Sequence, residues 1–184
     1  MNPFVELRWK SADYNSPIIQ TNLVGKYNFL NFLAAITFGT IFKVENEKIN
    51  EAVANYIPTN NRSQVQKTDK NTLIIDCYNA NPSSMLVALE SFKEIQHPNK
   101  LAILGDMFEL GLESEIEHKK IVDYCIENEI QFLTVGDFFQ KQNSFGFKDT
   151  QKVIEFIKTQ GFTENLILLK GSRGIALEKI IEFL

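Results

Sequence analysis

Apolar and polar positions along the chain follow two rhythms, and the change between them falls near residue 58. Before it, Phe4-Val5-Glu6-Leu7-Arg8-Trp9 alternates as a half-buried strand does, and Pro17-Ile18-Ile19-Gln20 suggests a second short strand after a polar turn. The stretch GKYNFLNFLAAITFGTIF, residues 25 to 42, reads as a long helix, apolar nearly all round and therefore largely buried. A shorter helix fits Asn50 to Tyr56. Pro58 and the following TNNR break the pattern and set a boundary between residues 1–58 and 59–184.

Beyond the boundary, strand-like apolar runs alternate with helical ones. Strands are predicted at Thr72 to Asp76, Leu101 to Gly105, Phe132 to Val135 and Leu166 to Lys170. Helices are predicted from Pro82 to about Gln96, Ser114 to about Asn128, Thr150 to Thr159 and Arg173 to Phe183. Asn81 suits the cap of the first of these, with Pro82 in its first turn. Ser114 and Glu117 have the spacing of a capping box. Arg62 to Lys67, joined by TDKN to the next strand, reads as a hairpin that adds an antiparallel edge. The alternation implies an α/β fold, a mostly parallel sheet with helices on both faces.

Composition changes this picture little. The 184 residues are 44% apolar and 23% charged with a net charge of −4, so a sizeable core is available and no basic footprint points to nucleic acid. The 15 Phe sit in periodic runs and read as core. Cys77 and Cys125 stand apart, outside any CxxC, which suggests neither a disulfide framework nor a zinc site and favours a reducing compartment. The N-terminus lacks the apolar run of a signal peptide, and residues 27 to 42 are too short and too polar for a membrane span.

Candidate chemistry gathers where the strands end. IIDCYN, AILGD, LTVGD and ILLKGS each close an apolar run with polar or glycine-rich residues, and in a parallel sheet these ends share the edge where open α/β sheets bind ligands. In DCYNANPSSM, residues 76 to 85, Asp76 is placed to grip ribose hydroxyls or to cap a turn. Tyr78, Asn79 and Asn81 add three hydrogen-bonding side chains within four residues, more than turn chemistry requires. KGSRG, residues 170 to 174, has the wrong order and spacing for a phosphate loop. It is either a strand-to-helix turn capped by Ser172 or an anion cradle that uses Arg173. Asn28 and Asn31 lie one turn apart on an apolar helix, bonded to nearby backbone or facing a ligand. Asp106 and Glu109 are an acid pair or a solvated loop with a helix cap. His97 and His118 lie far apart, and no metal site or Ser-His-Asp arrangement is predicted.

Four stretches in one order are more specific than any alone. LVGKYNFLNFLAA, DCYNANPSSM, LGDMFELG with the following His118, and LLKGSRGIALE resemble the Mur ligases, and the YNANP, LGDMxELG and KGSR forms resemble the branch that adds D-Ala-D-Ala. The resemblance covers almost the whole chain. It implies a cytoplasmic, ATP-dependent amide ligase acting on UDP-MurNAc-tripeptide and D-Ala-D-Ala in peptidoglycan precursor synthesis, through an acyl phosphate. Residues 1–58 resemble the end of the family's central ATP-binding domain, and 59–184 its Rossmann-like C-terminal domain. The N-terminal and central domains of the same protein are then the chain's implied partners. ATP and Mg2+ serve the whole enzyme, but the phosphate loop, the metal ligands and the carbamylated lysine belong upstream. No catalytic or metal-binding residue is therefore expected in this chain, and neither group is expected to bind it tightly alone.

Residue by residue, the resemblance implies an ATP-binding set of Asn28, Asn31, Arg62 and Asp76, with Arg62 on phosphate oxygens and Asp76 on the ribose. It places Tyr78, Asn79 and Asn81, and across from them Ser172 and Arg173, beside the incoming amino substrate. Tyr27 stands where many members have His, and Asn61 where many have Gly. Two rival readings remain: a related ligase, for another amino acid or of the folylpolyglutamate type, and a stand-alone Rossmann-like module that binds a nucleotide without catalysis.

Overall fold

Leu73, Ile74 and Ile75 carry the logic of the fold in three residues. Successive side chains on a strand point to opposite faces. Ile74 packs into one buried cluster, while Leu73 and Ile75 pack into another. A strand buried on both faces needs covering layers on both sides, and the helices supply them. The computed structural model describes residues 4–143 and 145–184.

The N-terminal part begins with an antiparallel pair, β1 (Phe4–Leu7) and β2 (Ile19–Val24), followed by a 3-10 turn at Lys26–Asn28, α1 (Phe29–Ile41) and α2 (Asn46–Asn55). The C-terminal part runs β3 (Gln64–Lys67), β4 (Thr72–Asp76), α3 (Pro82–Glu94), β5 (Lys100–Gly105), α4 (Ser114–Glu127), β6 (Phe132–Val135), α5 (Asp137–Gln142), α6 (Thr150–Gln160) and β7 (Leu166–Lys170). Its five-stranded sheet has the order β3-β4-β7-β5-β6, with β3 antiparallel to β4 and the other pairs parallel. The doubly covered α/β sheet with an antiparallel edge is the predicted fold class. One face packs Met85, Leu89 and Phe92 of α3 and Ile121 and Cys125 of α4; the other packs Val153 and Ile157 of α6 and Leu177 and Ile180. Val5, Leu7, Phe32, Ile36, Ile49 and Val53 form a separate N-terminal cluster. No helix of the described residues is long and apolar enough to cross a membrane.

Several local expectations are corrected. The helix over residues 25–42 is not largely buried: only Phe32 and Ile36 of α1 are buried, while Leu30, Leu33, Phe38 and Ile41 are 60% or more exposed. Among the described residues, β2 and α2 cover only part of its apolar circumference. Ser114 and Glu117 form no capping box. A 3-10 turn at Gly111–Glu113 leads into α4, so Glu113 holds the cap position without a side-chain bond. Residues 173–183 are not one helix but two 3-10 stretches, Arg173–Ile175 and Leu177–Phe183, parted at Ala176 by a left-handed φ of 57°. α2 starts at Asn46, four residues before its predicted start, and α5 was not predicted at all.

Asp106 explains α5. Its carboxylate accepts from the backbone N–H groups of Phe138 (2.9 Å) and Phe139 (2.8 Å), capping that helix from another strand end. Gly136 makes the approach possible: a Cβ there would overlap the Asp106 carboxylate, and its φ is +126°. Burial raises the Asp106 pKa, and the two backbone donors partly offset the rise.

Candidate functional site

The carboxyl ends of β4 and β7 set an acid against a base. Asp76 and Lys170 are register partners on the parallel pair, and Lys170 Nζ donates to Asp76 Oδ2 at 2.7 Å. Lys170 is only 2% exposed. The other carboxylate oxygen, Oδ1, accepts from the Ser63 backbone N–H at 3.3 Å. Ser63 reaches across to the N-terminal part, where its hydroxyl pairs with Tyr27 Oη at 2.8 Å and accepts from Asn28 Nδ2 at 3.3 Å. Asn28 Nδ2 also donates to Val24 O, and Asn28 Oδ1 accepts from Asn31 Nδ2 at 2.8 Å. The two asparagines are thus tied to backbone and to each other, and both also line the cavity described below. Burial, with the Asp76 charge beside it, pushes the Tyr27 phenol up to about 12, partly offset by the Ser63 bond.

The backbone that delivers Ser63 is wound tightly, with Asn61 at φ 57° and Ser63 at φ 49°. A left-handed position favours Gly or Asn. This accounts physically for an Asn at 61 where Gly is expected.

These groups border a cavity of about 890 Å³ between α1, α2 and the sheet edge. Asn28, Asn31, Arg62, Asp76, Asn79 and Asn81 all line it, although they come from both parts of the sequence. Phe32, Ala35, Ile49 and Val53 supply an apolar wall. An apolar wall beside a carboxylate acceptor and a guanidinium suits a ligand with an apolar body, hydroxyls and an anionic tail.

Tyr78, Ser172 and Arg173 are outside the lining. Tyr78 is half-exposed, with the Arg62 guanidinium 4.0 Å from its ring centre and that of Arg173 5.6 Å away. Tyr78 therefore links Arg62 and Arg173. Ser172 is buried and caps no helix; its hydroxyl accepts from the Phe108 N–H at 3.0 Å, while its own N–H donates to Asp106 O. It joins the loop after β5 to the loop after β7. Asn79 Oδ1 accepts from the Ala80 N–H, and Asn81 caps α3 reciprocally with Ser84, with Pro82 at the first helical position.

Asp106 and Glu109 do not pair: Asp106 caps α5, and Glu109 is an exposed left-handed loop residue. His118 is buried, donates from Nδ1 to Ser114 O and accepts at Nε2 from the Met107 N–H, the pattern of a neutral imidazole. Its 3.6 Å approach to Asp106 is accordingly no ion pair. His97 bonds locally to Asn99. Among the described residues no three His, Cys, Asp or Glu side chains gather as metal ligands would. Sequence reasoning assigned no site role to Lys170, Ser63 or Tyr27. Only the Lys that closes the apolar run ILLK carried a signal, since a charge ending a fully buried strand calls for a partner.

The protein is an open, mostly parallel α/β domain with a cavity bordered by the carboxyl ends of β4 and β7. A family model described as Mur ligase, glutamate ligase domain, matches residues 61–173, and the chain belongs to that family. It is 31% identical over 174 residues to the UDP-N-acetylmuramoyl-tripeptide--D-alanyl-D-alanine ligase of Bacillus subtilis (strain 168), a match covering 87% of this chain and 38% of that protein. The ligase of the same name from Rickettsia prowazekii (strain Madrid E) is 33% identical over 134 residues, covering 68% and 30%. The chain thus spans well under half the length of these relatives. In fold it is similar to the crystal structure of MurF from Acinetobacter baumannii, with a TM-score of 0.82 at 22% identity, covering 99% of this chain and 42% of that one. It is similar also to the MurF ligase of Thermotoga maritima in complex with ADP, with a TM-score of 0.78 at 16% identity, covering 100% and 43%.

Proposed function

We propose that this chain is the C-terminal part of a cytoplasmic, ATP-dependent ligase that adds D-Ala-D-Ala to UDP-MurNAc-tripeptide in peptidoglycan precursor synthesis. The observation that carries the reading is the shared cavity, where residues of both parts meet at the sheet edge. In this reading Asn28, Asn31, Arg62 and Asp76 hold ATP, with Asp76 on the ribose and Arg62 toward the phosphates. Tyr78, Asn79, Asn81, Ser172 and Arg173 frame the incoming dipeptide. The γ-phosphoryl group passes to the terminal carboxylate of the tripeptide, giving ADP and an acyl phosphate. The amine of D-Ala-D-Ala attacks the carbonyl carbon; the C–N bond forms, a proton leaves the nitrogen and phosphate departs. The contribution of this chain is to position the two reactants. Phosphoryl transfer also needs electrostatic stabilisation from a phosphate loop and metal, and the sequence contains no GxxxxGK[ST] motif.

Two assays test the reading. A ligase of full family length that carries this chain should release phosphate with D-Ala-D-Ala and UDP-MurNAc-tripeptide, and far more slowly with L-Ala, D-Glu or diaminopimelate as the amine. Preference for one of those amines refutes the dipeptide assignment. The 184-residue chain alone should release no phosphate above a buffer blank with all three substrates, and clear turnover would show that it needs no further domain.

A further inference from the structure

We infer that Lys170 is the positioning residue for the ribose grip: its buried ammonium holds the Asp76 carboxylate fixed at the cavity wall. The inference rests on the preceding reading, in which Asp76 holds the ribose of ATP.

The first support is location. Lys170 shares a sheet face with Leu166 and Leu168, and Asp76 shares it with Ile74, so the pair crowns an otherwise apolar face. Both residues also line the cavity. Lys170 is thus buried against core below and open to a ligand space above.

Its bonding is the second. Among the described residues Asp76 Oδ2 is the one hydrogen-bond acceptor of Lys170 Nζ, at 2.7 Å. The Ser63 N–H holds Oδ1. Each carboxylate oxygen can accept more than one hydrogen bond, so both remain able to accept from a vicinal diol while two protein donors prevent rotation.

Rigidity is the third. Directly after Lys170, a Cβ on Gly171 would lie 2.8 Å from Gly105 Cα, so β7 ends pressed against β5 and the lysine stem starts from a fixed point. A buried ion pair is weak evidence for stability, because desolvation of two charges offsets much of their attraction. Holding a carboxylate still at a cavity wall is a role that does not depend on net stability.

The test reads nucleotide discrimination in a ligase of full family length that carries this chain. The measured quantity is kcat/KM for ATP divided by that for 2′-deoxy-ATP or 3′-deoxy-ATP, whichever ratio is larger. Asp76→Asn should reduce the ratio about tenfold or more, the loss of a hydrogen bond to a charged group. Lys170→Met should reduce it to a similar extent, with KM for D-Ala-D-Ala unchanged. If Lys170→Met weakens ATP and the deoxy analogues equally, so that the ratio holds while Asp76→Asn lowers it, Lys170 is merely structural and the inference falls. A ratio untouched by Asp76→Asn removes the ribose role of Asp76 itself, and the inference with it. Should Lys170→Met fail to fold, the double variant Asp76→Asn/Lys170→Met removes both charges and leaves neither unpaired. Its ratio should equal that of Asp76→Asn alone, and a further drop overturns the inference.

Discussion

Asn81 does two things at one position. It caps α3 and faces the cavity, so its replacement has two separable costs. Asn81→Ala should lower unfolding stability by ~1 kcal/mol as a lost cap, read by chemical denaturation, and should also weaken use of the dipeptide. Asn79→Ala, whose side chain bonds only to the next backbone N–H among the described residues, should weaken dipeptide use with little change in stability. Asp76→Ala should instead raise KM for ATP by roughly 10- to 150-fold and leave KM for the dipeptide nearly unchanged. Steady-state kinetics with each substrate varied in turn check all three, and equal effects on both substrates would assign the segment to fold or domain closure. What sequence reveals at this scale is density: four polar side chains in DCYNANP exceed what a turn needs. Pairing across strands is invisible to it. Lys170 looks like any strand-end cation until β7 is laid beside β4 in register, and Ser63 looks like a linker residue until its N–H is seen on Asp76.

Strands and helices were legible in proportion to their length and to the purity of their pattern. β4 and β7 fall on the predicted residues because buried parallel strands are unbroken apolar runs between polar ends, and β6, FLTV, does so as a short, mostly apolar run at the sheet edge. α5 escaped because six residues, DFFQKQ, cannot show a helical period and because its cap comes from Asp106, a distant residue. Residues 173–183 carry helical spacing, but Ala176 turns left-handed and divides them. The dependence of α5 on a distant cap gives a test. Gly136→Ala should destabilise the protein by roughly 1–3 kcal/mol from backbone strain alone, since its φ of +126° is glycine territory, with more from collision with Asp106. Denaturant titration measures the loss. A neutral Gly136→Ala would mean that the β6–α5 turn relaxes freely and that the cap contributes little.

Across the whole molecule, the C-terminal sheet has two buried layers, whereas among the described residues the N-terminal part has one small cluster and a helix that leaves Leu30, Leu33, Phe38 and Ile41 exposed. Residues 59–184, about the size of an ordinary domain, are accordingly expected to fold on their own. In hydrogen exchange the amides of Ile74 and Leu168 should open only with global unfolding, and those of Phe4 to Leu7 through cheaper local opening. Equal protection of the two groups would show a single cooperative unit, held together through contacts such as Lys26 with Glu94 and Tyr27 with Ser63. The turn that delivers Ser63 also restricts which residues can form it. Side chains that rest easily in its left-handed winding are few, Gly and Asn first among them. A glycine at position 61 would keep this winding, whereas a β-branched side chain there would strain the turn that brings Arg62 over Tyr78.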